Sequence, residues 1–233
     1  MVKQFKPNSS SPFQARMSST NKKVMQALAE TISQKVEHFS ALSFVVSKKE
    51  VECLIRKFNT LLEAEKHPDS SVPGLDRNRF KDVLHNLFEL TDDFILDRVF
   101  KVFDKDNDSF VSVEEWIQGL SVFLRGTPDE QIKYCFQVYD LTGSGFITKD
   151  EIYLMLKDSL PMEQQDEEDE MNELIEIVLK MMDYDKDGRL SFEDFEKSVK
   201  KEDLILEAFG KCLPNFRTKK KFEEQVLEKQ QDE

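Results

Sequence analysis

Three stretches, DKDNDSFVSVEE (104–115), DLTGSGFITKDE (140–151) and DYDKDGRLSFED (183–194), decide how this chain is read. Each is twelve residues long and sets oxygen-bearing side chains at positions 1, 3, 5, 9 and 12. Alternation matters because it turns successive oxygens inward as a loop coils, and a hard cation such as Ca²⁺ takes about six to eight oxygens at roughly 2.3–2.6 Å. In the first stretch the candidate side-chain ligands are Asp104, Asp106, Asp108 and Glu115, with Ser112 placed to orient a water. In the second they are Asp140, Thr142, Ser144, Thr148 and Glu151, and in the third Asp183, Asp185, Asp187, Ser191 and Asp194. The backbone carbonyls of Phe110, Phe146 and Arg189 fill position 7.

Position 8 is apolar in all three: Val111, Ile147 and Leu190. EF-hand loops pair there through a short two-stranded contact, and a merely solvated acidic loop has no need of such a residue. One match to the EF-hand loop pattern has an appreciable false-positive rate. Three in tandem, each flanked by helical apolar spacing, do not. Each stretch departs from the ideal in its own way. Ser109 stands where a glycine normally takes the sharp turn, and a left-handed conformation at a residue with a Cβ costs about 1–2 kcal/mol. The second stretch has only two ionised ligands, Asp140 and Glu151, so attraction for the cation falls but repulsion between ligands falls with it. The third closes on Asp194, one methylene shorter than Glu, which disfavours two-oxygen closure and tilts the site towards Mg²⁺ with its smaller octahedral shell.

Hands come in pairs, so three loops imply a fourth. Aligning KFNTLL with VFDKDN puts a partner over 59–79, with Leu75 at the apolar strand position. That loop is too long, and Arg79 replaces the closing carboxylate, so this first hand is a structural partner only. Apolar residues at helical spacing flank every loop: Val51, Leu54, Ile55, Phe58, Leu61 and Leu62 before the first, Phe80, Val83, Leu84, Leu87 and Phe88 after it. A helix opens near Thr91 in TDDFILDRVFKVF, and TPDE (127–130) is a capping box with Pro at the first helical position. The fold class expected is all-α: four helix-loop-helix hands in two pairs, the first degenerate, with further helices at both ends. Boundaries follow at 1–20 (a flexible basic tail), 21–125 (a leading helix with Val24, Leu28, Ile32 and Val36, then two hands), 126–200 (two hands) and 201–233 (a helical tail). Seven acids and no base between Glu163 and Glu173 read as an exposed acidic linker or helix start.

The 233 residues carry 33 Lys+Arg against 46 Asp+Glu, a formal charge of −13. Nucleic-acid binding rests on Lys and Arg neutralising phosphates, so none is expected. Cys53, Cys135 and Cys212 are odd in number and match no zinc spacing, which points to reduced thiols and a cytoplasmic setting. Apolar stretches fall short of the ~20 residues a membrane helix needs. Val2 stands where myristoylation requires Gly, so no membrane anchor is expected. His38, His67 and His85 are isolated, no Cys/His nucleophile pattern is present, and the informative carboxylates are committed to metal; an enzyme is not expected.

The stretches GLDRNRFKDVLHNLFELTDD, DRVFKVFDKDND, EEWIQGLSVFLRG, YCFQVYDL and LILEAFGKCLP carry a resemblance to the calaxin family of calcium sensors, over most of 47–214. The order of hands also resembles neuronal calcium sensors and calcineurin B-like proteins. The resemblance implies a sensor in the axoneme of cilia or flagella, with a partner on the outer-arm dynein heavy chain and a contact with tubulin; a monomer is expected. Sensing would open apolar grooves lined by Phe100, Phe103, Trp116, Leu120 and Phe123 in one lobe, and by Phe136, Ile152, Met155, Ile177 and Met181 in the other. The segment with Leu204, Ile205, Leu206, Ala208 and Phe209 either packs into a groove or finishes the core. Two other readings stand beside it: a buffer that barely opens, and a calcineurin B-like regulator of an enzyme.

Overall fold

The architecture is that of a computed structural model, described over residues 48–63, 74–157 and 167–228. The expected tail over 1–20, the helix after Asn21 and the acidic residues 163–166 lie outside the described residues. Helices dominate: α1 (Lys48–Glu63), α2 (Arg77–Phe88), α3 (Asp93–Phe103), α4 (Val113–Arg125), α5 (Pro128–Tyr139), α6 (Lys149–Leu156), α7 (Glu167–Met182), α8 (Phe192–Lys201) and α9 (Phe216–Glu223). Four two-residue strands separate the helix pairs: β1 (Leu75–Asp76), β2 (Phe110–Val111), β3 (Phe146–Ile147) and β4 (Leu190–Ser191).

The strands pair as the apolar eighth position demands. Leu75 faces Val111 in an antiparallel β1–β2 contact, and Ile147 faces Leu190 in β3–β4. All four of these side chains are fully buried. Hands one and two therefore form one pair, hands three and four the other. Leu75 takes the strand position assigned to it from the alignment, which fixes the first helix-loop-helix as a genuine partner.

Helices α2 to α6, α8 and α9 each start where a short polar side chain satisfies an orphan amide. Asp92 caps α3, one residue later than the Thr91 start expected, because its carboxylate accepts from the Ile95 N–H. Thr127 caps α5 with Pro128 in the first turn and Glu130 closing the box, as TPDE predicts. The acidic run continues into the first turns of α7. Apolar residues three and four apart then face inward: Ile95, Leu96, Val99, Phe100 and Phe103 on α3 are all buried.

One aromatic network fills the first pair. Phe80 meets Phe103 edge-on at 4.9 Å between centroids, Trp116 lies 6.1 Å from Phe58, and Phe123 reaches across to Tyr134 of α5 at 5.5 Å. Phe100, Phe103, Trp116, Leu120 and Phe123, expected to line a groove, are thus closed core, and so are Phe136, Ile152 and Met155. Exposed apolar side chains among the described residues include Ile177 (48%) and Met181 (61%) of α7, Leu154 of α6, which packs against α7, and, nearer the C-terminus, Leu204 and Phe216.

The C-terminal segment divides its work. Phe209 is buried against Tyr139 at 5.4 Å, whose hydroxyl donates to the Gly210 carbonyl at 2.6 Å, so this part finishes the core of the second pair. Leu204, by contrast, is 85% exposed. The chain then returns to the first pair, where Phe222 of α9 lies 5.2 Å from Phe88 and Arg125 reaches both Glu50 and Glu223.

Gly119 on α4 makes the first pair tight. A Cβ there would sit 2.1 Å from the ring of Phe103, which is itself buried. Gly119→Ala should therefore destabilise the chain by about 1–3 kcal/mol of overpacking, outweighing the ~1 kcal/mol gained in helix propensity. Urea unfolding checks this; equal or greater stability would mean that the ring has room to move.

Candidate metal-binding loops

The loops after α3, α5 and α7 bring the predicted residues together. One carboxylate oxygen each from Asp104, Asp106 and Asp108 lies within 4.8 Å of the others, and so do those of Asp183, Asp185 and Asp187. Like charges gathered so closely repel, and a divalent cation is the ordinary remedy. The arrangement fits Ca²⁺, a hard cation that takes oxygen donors.

Position 1 organises each loop. The carboxylate of Asp104 accepts from the backbone N–H of Asp108 at 3.1 Å and of Ser109 at 3.0 Å. Asp140 does the same with Ser144 at 2.9 Å and Gly145 at 2.7 Å, and Asp183 with Lys186 and Gly188 at 2.7 and 2.9 Å. The sharp turn requires left-handed backbone at position 6, where φ is 83° at Gly145, 86° at Gly188 and 72° at Ser109. Ser109 adopts the conformation that its glycine counterparts adopt without strain.

Position 12 closes the loop. One oxygen of Glu115 accepts from the Lys105 N–H at 2.7 Å, and the other accepts from the N–H and hydroxyl of Ser112 at 2.9 and 2.8 Å. Glu151 spans Thr142 N–H (2.9 Å) and Thr148 (2.8 Å to N–H and to hydroxyl). The shorter Asp194 makes the same bridge from Tyr184 N–H to Ser191, with the loop-side contact stretched to 3.2 Å. Among the described residues the buried acids are Asp104, Glu115, Asp140, Glu151 and Asp194, all at position 1 or 12. Asp183 is only partly buried, so the last loop is the most open.

Position 9 also starts the exiting helix. Ser112, Thr148 and Ser191 are N-caps of α4, α6 and α8: each hydroxyl accepts from the position-12 N–H and donates to its carboxylate. The signal was present as S/T-x-x-E/D in SVEE, TKDE and SFED, the same motif that marks TPDE. In the 140–151 loop the hydroxyl of Thr142 donates to Glu151 at 3.0 Å, and that of Ser144 to the Phe146 carbonyl at 3.1 Å. The guanidinium of Arg189 contacts Asp187 at 2.7 Å and lies 3.5 Å over the Phe146 ring of the neighbouring loop.

No carboxylate stands at position 12 of the first hand. Arg79 occupies the place in α2 that Glu115 holds in α4, and Asp76 caps the helix by accepting the Arg79 N–H at 3.0 Å.

Electrostatics separate the loops. Burial raises the Asp104 carboxyl above its ordinary range, with the charges of Glu115 and Asp108 adding to it against the loop amides. Burial also pushes Glu151 up, but hydrogen bonds from Thr148 and Thr142 together outweigh it and leave that carboxyl low. Sequence reasoning missed Arg98 of α3. Its guanidinium donates to the carbonyls of Val138 (3.2 Å) and Asp140 (2.9 Å) at the end of α5. The two partners lie 40 and 42 residues away, so no local pattern could signal the contact.

Comparison with known proteins agrees with this build. The family model for an EF-hand domain pair matches residues 129–200, and a second EF-hand model matches 96–121. The chain is 51% identical over 215 residues to calaxin of Xenopus laevis, covering 91% of this chain and 99% of that protein. It is 50% identical over 210 residues to calaxin of Homo sapiens, covering 89% and 95%. Calcineurin B of Schizosaccharomyces pombe is more distant, 30% identical over 155 residues, covering 66% of this chain and 82% of that protein. The chain is a helical EF-hand protein and belongs to the calaxin family.

Proposed function

We propose that this chain is a calcium sensor of the ciliary or flagellar axoneme that regulates outer-arm dynein through its heavy chain, with tubulin as a second contact. Three hands bind Ca²⁺ and the first serves as their structural partner. The ligands are Asp104, Asp106, Asp108, the Phe110 carbonyl and Glu115; Asp140, Thr142, Ser144, the Phe146 carbonyl and Glu151; and Asp183, Asp185, Asp187, the Arg189 carbonyl and Asp194. The observation that carries this reading is the position-12 carboxylate, which belongs at once to the loop and to the first turn of the exiting helix. A bound Ca²⁺ supplies the double positive charge that the converged carboxylates lack. Any change at Glu115, Glu151 or Asp194 is then felt directly at the start of α4, α6 or α8. The exposed Leu154, Ile177 and Met181 support a partner surface on the second pair. Lobe limits near 125 and 200 follow from the pairing of the hands.

Mg²⁺ holds the fourth hand at rest, because Asp194 is short and the loop is open. Asp194→Glu should shift the selectivity of that site towards Ca²⁺ on the order of tenfold, the scale that ligand reach and site rigidity set. Competitive titration of Ca²⁺ against Mg²⁺ measures it; unchanged selectivity would remove the argument from side-chain length.

Replacing Glu151 with Gln should abolish one Ca²⁺ site, since an amide has one acceptor oxygen where the carboxylate has two. Calorimetry showing the full number of sites at unchanged affinity would refute the ligand set.

A sensor gains dye-binding apolar surface when Ca²⁺ is added, and a Ca²⁺-dependent pull-down from ciliated cells should recover dynein heavy chain that chelator releases. Unchanged dye binding would favour a buffer. Recovery of a phosphatase catalytic subunit without axonemal protein would favour the calcineurin B-like reading, which the yeast relative keeps in view.

A further inference from the structure

We propose that Arg98 is a positioning residue that couples cation binding in the second hand to cation binding in the third. The inference rests on the ligand assignment above and goes beyond it, because nothing in paired-strand contact connects these two loops: β2 pairs with β1, and β3 with β4. The second and third hands belong to different pairs.

Beside the packing of Phe123 on Tyr134, one side chain of α3 makes a hydrogen-bonded connection to the entrance of the third hand's loop. Arg98 stands in the middle of α3, and Asp104, the first residue of the second hand's loop, caps the same helix. Six residues at 1.5 Å each put the two about 9 Å apart on a rigid rod. From that rod the guanidinium fork reaches the carbonyls of Val138 and Asp140, where α5 ends and the third hand's loop begins. Carbonyls in the last turn of a helix have no partner within it, and an arginine there also suits the negative end of the helix dipole. Val138 is fully buried, so water is a poor substitute donor. Asp140 is the residue whose carboxylate organises that loop through Ser144 and Gly145. Arg98 therefore holds the backbone of the third hand's first ligand from the helix that carries the second hand's first ligand. The planar two-pronged fork fixes direction as well as distance, which a lysine cannot reproduce.

The contact is also selective. The third hand has the fewest ligand carboxylates of the three, Asp140 and Glu151, and the Arg98 charge interacts with both. A displacement of α3 changes how that loop is held, and a change at Asp140 is returned to α3 through the same two hydrogen bonds. Coupling of this kind is reciprocal for equilibrium binding.

Trp116, the chain's one tryptophan, follows Glu115 directly and is buried in the first pair, so its emission reports the second hand. The full chain is titrated with Ca²⁺ by Trp116 emission and calorimetry, with and without Glu151→Gln, in three backgrounds: Arg98, Arg98→Met and Arg98→Lys. With Arg98 in place, disabling the third hand by Glu151→Gln should move the Trp116 midpoint by about fivefold or more, the lower end of ordinary coupling between sites. In Arg98→Met the same change should move it less than about twofold, and in Arg98→Lys by an intermediate amount. By reciprocity, Glu115→Gln should shift the third hand's affinity by the same factor only when Arg98 is present. Melting of the metal-free variants checks that each is folded, and the lysine variant, which keeps the stem and the charge, carries the test if the methionine variant is not. An equal shift in all backgrounds, or no shift with Arg98 present, would overturn the proposal. If Glu151→Gln left the count of bound ions unchanged, the ligand assignment would fall first and the coupling with it.

Discussion

One carboxylate closing a loop and starting a helix is the contact on which the rest of each of the last three hands depends. In Glu115, Glu151 and Asp194 one oxygen takes amide hydrogens near the loop entrance, and the other serves the helix cap. Loop closure and helix initiation are thus a single interaction, satisfying orphan donors that a buried helix end cannot leave unpaired. The first hand shows what remains when it is removed. Its helix still starts, through Asp76, and its strand still pairs through Leu75, but Arg79 offers no acceptor to close a loop.

Charge and strain then make the three loops unequal. The second hand concentrates four acids around a turn that forces Ser109 into left-handed backbone, and its first carboxyl is held high by burial. The third hand has fewer charges, a glycine at the turn and a closing carboxylate whose hydrogen bonds keep its proton affinity low. The fourth stretches a short side chain over the same span and keeps Asp183 partly open to water. Crowded carboxylates favour a cation most where they repel one another most, while strain at Ser109 works in the opposite direction. Binding strength is set by the balance of these, not by counting acids.

Packing joins the two pairs of hands into one body. Phe123 meets Tyr134, Arg98 grips the end of α5, and the C-terminal segment is anchored by Phe209 in one pair and Phe222 in the other. Much of the apolar surface that amphipathic spacing would assign to an open groove is thereby consumed. Ile177, Met181 and Leu154 remain outside it.

Short-range chemistry was legible in the sequence. Oxygen alternation, the apolar residue at position 8, the capping motifs and the missing carboxylate at Arg79 all act within twelve residues or so, and the helices, strand register and converged carboxylates follow them. The caps at Ser112, Thr148 and Ser191 were written in the same motifs but masked by the metal reading of position 9. Periodicity could say that Phe103, Trp116 and Phe123 face inward, but not whether that interior is a closed core or an open groove. That depends on how helices distant in sequence settle against each other. Arg98 on the Asp140 carbonyl, Phe222 on Phe88 and Arg189 over Phe146 were decided by tertiary structure alone, because a side chain's choice among distant partners is made by the packing of whole helices and leaves no local trace.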